Sequence, residues 1–148
     1  MTVKVIYTSA TGNTKTAVDV FTEALEDLGV DVDVVDAEDG VEVDEFFEDG
    51  DAFAIASWSD GANGEVPGGI VDFYDDLEDF DLSDKKVAVF GTGDTSYKSY
   101  CAAVDVFTDR VKQDGATILG EPLKIELSPD DDAEEALKSL AKTVAEAI

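Results

Sequence analysis

Apolar runs too short to be helices alternate along this chain with segments of helical period, and that alternation restricts its fold more than any other feature. Val3 to Tyr7 reads as a short buried strand. From Thr14 the spacing changes: Ala17, Val18, Phe21, Ala24, Leu25 and Leu28 recur at helical intervals, and Gly29 is a stop signal. Val30, Val32, Val34 and Val35 predict a second strand, which Asp31 and Asp33 place near an edge with one face wet. Asp51 precedes a third apolar run, Ala52 to Ala56, and Ser57 to Gly69 has turn composition without a period. Ile70, Phe73, Tyr74 and Leu77 mark a helix, and Val87 to Phe90 a fourth strand stopped by Gly91-Thr92-Gly93. Ala103, Val104, Phe107 and Val111 mark the next helix, ending near Gly115. Thr117 to Leu119, extended toward Leu127 past Pro122, is the fifth strand. Ser128 and Pro129 predict the cap and first position of a last helix, with Asp130 to Asp132 suiting its dipole. Ala133, Ala136, Leu137, Leu140, Ala141 and Val144 supply that helix's apolar face. The pattern predicts an α/β fold: an open parallel sheet with helices on both faces and right-handed crossovers. No repeat, low-complexity tract or linker divides the chain, so a single domain over residues 1–148 is expected.

A chain of 148 residues can bury roughly 70% of the surface its unfolded form exposes. No apolar stretch is long enough for a transmembrane helix, and Met1 to Tyr7 lacks the apolar core and cleavage site of a signal peptide. Cys101 stands alone and cannot form an internal disulfide, which fits a reducing cytoplasm. Asp and Glu number 36 against 10 for Lys and Arg, a formal charge of -26. That sign argues against nucleic acid and anionic membrane surfaces as partners. Disorder would follow from charge alone, but 44% hydrophobic residues in periodic patterns contradict it. Two readings of the acids remain: adaptation to high salt, or a docking face for basic partners. The first is preferred because the acids occur throughout the chain.

Ligands of open parallel sheets sit beyond the carboxyl ends of the strands, where the strand order reverses. Three loops leave such ends: Thr8 to Thr14, Ser57 to Gly69, and Gly91 to Tyr100. The first, Thr8-Ser9-Ala10-Thr11-Gly12-Asn13-Thr14, offers hydroxyls, an amide and a glycine at a helix start, where backbone N–H groups and the dipole favour an anion. It holds no lysine, so it is not the phosphate loop of nucleotide hydrolases. A merely capped turn explains the same composition equally well. Trp58 in the second loop and Tyr97 and Tyr100 in the third could sandwich a flat ring. Taken alone, packing over a helix and turn capping account for them better. The chain has no His, no Cys/His cluster for a metal and no serine in a nucleophile elbow. The first and third strand ends read Thr8-Ser9 and Ser57-Trp58, without the acids a receiver domain needs.

Taken together, Tyr7-Thr8-Ser9-Ala10-Thr11-Gly12-Asn13-Thr14 and Phe90-Gly91-Thr92-Gly93-Asp94-Thr95-Ser96-Tyr97, with Tyr100-Cys101, resemble the phosphate loop and second flavin loop of flavodoxins. Asp72 to Leu77 resembles the helix after that family's first flavin loop. The resemblance runs from Val3 to the final helix and implies a five-stranded sheet of order 2-1-3-4-5, for which flavodoxin is itself a type example. The stretch from Gly115 to Pro129 has no room for the insertion of long-chain members, which implies the short-chain type. The implied cofactor is flavin mononucleotide (FMN). Ser9, Thr11, Asn13 and Thr14, with the N–H of Gly12, would hold its phosphate, in the loop that Thr8 opens. Trp58 and Tyr97 would cover the two ring faces. Thr92, Gly93, Asp94 and Cys101 would line the pyrimidine edge, with Asp94 disfavouring an anionic reduced ring. In the loop that Ser57 opens, a backbone carbonyl would turn toward the ring on reduction, with Ser59 or Gly61 as the turning residue. Three features depart from the family pattern: Ala10 and Ala56 lack hydroxyls, Ser59 replaces a frequent glycine, and the first flavin loop is long. The implied function is a low-potential electron carrier, monomeric, with no substrate of its own and only transient redox partners. A flavin-dependent quinone reductase of the same fold and a flavoprotein activator of one enzyme are the alternatives.

Overall fold

Short runs of Val, Ile, Ala and Phe form strands, and the helical-period segments form the crossovers between them. In the computed structural model, which describes residues 2–8, 12–58, 68–78, 80–93, 102–126 and 129–148, the chain begins with β1 (Thr2–Tyr7), α1 (Asn13–Asp27) and β2 (Asp31–Asp36). A single 3-10 turn (Ala37–Asp39), α2 (Val43–Glu48), β3 (Ala52–Trp58), α3 (Gly68–Asp76), β4 (Lys86–Gly93) and α4 (Ala102–Gln113) follow. The last elements are β5 (Thr117–Ile118), β6 (Leu123–Glu126) and α5 (Asp131–Ala147). The strands pair in parallel, as the alternation predicts, and in the order β2-β1-β3-β4-β5 that the family resemblance implies. β2 is an edge, and its Asp31 and Asp33 are exposed as the pattern implied.

The fifth strand is present but divided. β5 pairs with Lys86 and Val87 of β4, and β6 pairs with Phe90 to Gly93 further along it. The break holds Gly120, at φ 68, and Pro122, which has no N–H for a ladder. A Cβ on Gly120 would come within 2.9 Å of Leu140 in α5, so glycine allows the helix to close on the break.

Strand alternation sends side chains into two cores. On one face Val3, Val5, Ala54, Ala56, Ala88 and Phe90 meet α1 and α5 through Phe21, Leu25, Leu137 and Val144. The alanines of β3 leave room for both helices to approach the sheet. On the other face Ile6, Phe53, Ile55, Val87 and Val89 meet α2, α3 and α4. Phe46 and Phe47 of α2 pack on Phe53 at ring separations of 5.6 and 4.8 Å, and on Phe73 at 5.6 and 6.3 Å. Each ring fully buried in this way contributes roughly 1.5–3 kcal/mol relative to exposure.

The structure corrects the sequence reading in four places. α2 was not expected; with six residues it is too short to display a period. β4 does not stop at Gly91 but runs through Gly93. Leu28 is 51% exposed because α1 ends at Asp27 and Leu28 turns off the apolar stripe. The cap of α5 is Asp130, whose side chain accepts from Ala133 N–H, so Pro129 precedes the helix, and Ser128 lies outside the described residues.

Candidate functional site

The strand order reverses between β1 and β3, since β1 leads to β2 on one side and the chain then crosses to β3 on the other. Their carboxyl ends, with that of β4, form one rim: Tyr7 pairs with Ala56, Ala56 with Phe90, and Trp58 with Thr92. Thr8 extends the ladder one step past β1, its N–H donating to the Ala56 carbonyl at 3.1 Å.

Hydroxyls gather at this rim. The described buried polar residues are Thr8, Thr14, Ser57, Thr92 and Thr108, and the first four stand at the strand ends or the first turn of α1. Thr108 lies in α4 and simply donates back to the Val104 carbonyl. A buried hydroxyl left unpaired costs about 1–3 kcal/mol, so each needs a partner. Thr14 Oγ1 and Thr92 Oγ1 meet at 2.7 Å, tying α1 to β4. Ser57 Oγ donates to the Trp58 carbonyl at 2.7 Å.

Glycines shape the approach. A Cβ on Gly91 would stand 2.1 Å from the Ser57 carbonyl oxygen and 2.7 Å from Val104, so no other residue fits without parting β3 from β4. Gly12 caps α1 in the left-handed region, at φ 91, and offers no side-chain acceptor to the helix. Its carbonyl accepts both the N–H and the hydroxyl of Thr16, at 2.9 Å each. The first turn of α1 contains no acid, whereas that of α5 contains Asp131, Asp132 and Glu134 and that of α2 Asp44 and Glu45. A first turn with no side-chain cap bond and no acid, beside buried hydroxyls, suits an anion of the size of a phosphate.

Among the described residues, cations are sparse here. Lys15 Nζ pairs with Asp19 at 2.6 Å and lies 6.0 Å from the centroid of the Tyr7 ring. Burial, and then the charge of Asp36, hold the Tyr7 hydroxyl above its ordinary pKa, with Lys15 opposing them.

Of the residues singled out from sequence, Thr8, Gly12, Asn13, Thr14, Ser57, Trp58, Thr92 and Gly93 converge on this rim, Trp58 half-buried at the end of β3. Ser9, Ala10, Thr11, Ser59, Gly61, Asp94, Tyr97 and Cys101 lie outside the described residues. The sequence reading missed Gly91 and the Thr14–Thr92 contact. A glycine inside an apolar strand was the available signal for the first; nothing local announced the second, which joins residues 78 apart.

Sheet order and rim geometry define the class: a doubly wound α/β protein whose switch point lies between β1 and β3. The sequence model of the flavodoxin family matches residues 5–139. A flavodoxin of Maridesulfovibrio salexigens is 36% identical over 130 residues, covering 86% of this chain and 88% of that protein. Probable flavodoxin 2 of Bacillus subtilis is 32% identical over 140 residues, covering 95% and 91%. The structure of the flavodoxin of Streptococcus pneumonia TIGR4 superposes with a TM-score of 0.94 at 36% identity, covering 100% of both chains. The chain belongs to the flavodoxin family. It is thus an electron-transfer flavoprotein whose cofactor is FMN, with transient redox partners and no substrate turnover of its own. The quinone-reductase and dedicated-activator alternatives are not favoured by these relationships. Among the described residues, no helix is long and apolar enough to cross a membrane.

Proposed function

We propose that this chain holds FMN with the phosphate at the head of α1 and the ring along the ends of β3 and β4. The observation that carries this reading is the acid-free, glycine-capped first turn of α1, tied by Thr14 and Thr92 to the neighbouring strand end. Ser9, Thr11, Asn13 and Thr14, with the Gly12 N–H in the loop opened by Thr8, hold the phosphate. Ala10 and Ala56 add no hydroxyl there. Trp58 and Tyr97 cover the ring faces and exclude water. Backbone groups of Thr92 and Gly93, with Asp94 and Cys101, line the pyrimidine edge. Ser57 directs the loop containing Ser59 and Gly61, one of which turns a carbonyl toward the ring.

The bound flavin supplies the one-electron redox chemistry, which the surrounding electrostatics tune. Asp94 and the acidic chain oppose added negative charge, which makes the second electron costly and the carrier low in potential. We read residues 1–148 as one domain that works as a cytoplasmic monomer without nucleic-acid partners, and the acids as an adaptation to high salt. Added ions screen the self-repulsion of a -26 chain, so its melting temperature rises from low to molar KCl. A melting temperature that stays flat returns the acids to a docking role.

The test of the main reading is a flavin absorption spectrum of the purified protein, followed by titration of the apoprotein with FMN and riboflavin. FMN binds more tightly if the α1 site takes the phosphate. Equal affinities remove the phosphate from α1, and loss of ring stacking is checked by the Trp58→Ala, Tyr97→Ala double variant.

A further inference from the structure

We infer that Thr92 is a positioning residue for the phosphate: its side chain acts through Thr14 rather than on the flavin ring. The inference rests on the reading above, in which the Thr14 hydroxyl meets the phosphate. Thr92 stands on β4, the strand that leads into the second flavin loop, and the family resemblance implies a place for it at the pyrimidine edge. Its Oγ1, however, lies 2.7 Å from Thr14 Oγ1, and both residues are almost fully buried, at 2% and 1% exposure.

Donor counting then fixes the direction of this bond. A phosphate dianion only accepts hydrogen bonds, and a threonine hydroxyl has a single proton. For Thr14 to donate to the phosphate it cannot also donate to Thr92. Thr92 is therefore the donor, and Thr14 accepts from it while aiming its own proton at the anion. Such a chain polarises the terminal donor and strengthens the bond it makes to a charge. It also locks the Thr14 rotamer where α1 meets β4 through this hydroxyl pair, so the hydroxyl is set before ligand arrives.

The experiment compares FMN with riboflavin, which has the same ring without the phosphate. Thr92→Val preserves shape and removes the proton, and is expected to weaken FMN binding about tenfold, as for a lost hydrogen bond in a buried pair. Riboflavin affinity stays within about twofold, since no ring contact is removed. Thr92→Ser restores FMN affinity. Thr14→Val weakens FMN at least as much, and adding Thr92→Val to it causes no further loss, because the two act as one unit. If Thr92→Val does not fold, Thr92→Ala is measured in the same way. Equal weakening of both flavins assigns Thr92 a structural or ring-edge role and overturns the inference. So does an unchanged FMN affinity, or a double variant whose losses add. Failure of the wild-type protein to prefer FMN over riboflavin is a different result and strikes at the phosphate reading itself.

Discussion

α1 and α5 lie side by side on one face of the sheet, yet their N-termini are built in opposite ways. α5 is closed by its own sequence: Asp130 accepts from the Ala133 N–H at 2.8 Å, and Asp131, Asp132 and Glu134 answer the positive end of the dipole. α1 opens with Gly12-Asn13-Thr14-Lys15, without a side-chain cap or an acid. In a chain with 36 acids, the omission is local. One helix start is closed by a side-chain cap and acids, and the other has neither.

The strongest way to break this comparison is to make α1 resemble α5. In Asn13→Asp the new carboxylate would repel a phosphate held at the head of α1; two unit charges about 5 Å apart repel by roughly 3 kcal/mol at an effective dielectric of 20. FMN affinity should fall about hundredfold, while the apoprotein is no less stable because an acid suits the dipole. Unchanged FMN affinity in a titration would end the comparison, whereas Asp131→Asn should leave that affinity alone. Gly12→Ala comes next. At φ 91 a Cβ meets no atom within 4 Å, so the penalty is the backbone's own, about 1–2 kcal/mol in urea unfolding. Asp130→Ala removes the α5 cap and should cost about 1 kcal/mol with no change in flavin affinity. Parallel losses of binding and stability there would show that the two helix starts are coupled.

The smallest effect concerns how far the acid-poor zone extends. Tyr7, under Lys15 beside α1, has its pKa raised by burial and by Asp36. The unfolded chain gives up this proton first, near pH 10, so stability present below that pH declines as pH rises through the raised folded value. Tyr7→Phe should flatten that alkaline decline in a melting series from pH 8 to pH 11. An identical decline in both proteins would remove Tyr7 from the alkaline response.

Much of this was legible in the sequence because buried parallel strands leave contiguous apolar runs and the crossovers keep a helical period. β3 and α1 were readable on those grounds alone. α2 was not: six residues with Val43, Phe46 and Phe47 facing inward carry less than two turns of pattern. Gly91 was misread as a stop because a glycine's local signal is the same whether it ends a strand or admits a neighbouring carbonyl. The candidate site was legible as two loops with flavodoxin motifs. The hydroxyl pair that joins them was not, because registering α1 against β4 is a property of the packed sheet rather than of either segment.

The divided fifth strand has a consequence for how the molecule behaves in company. An unbroken parallel edge invites another chain to add a strand, and such templating leads to aggregation. Here one sheet edge, β2, presents Asp31 and Asp33, a deterrent that works by charge. The opposite edge is cut into pieces of two and four residues, with Pro122 between them. Salt that screens the acids also silences the first deterrent. The second is a matter of shape and missing N–H groups, and concentrated salt leaves it intact.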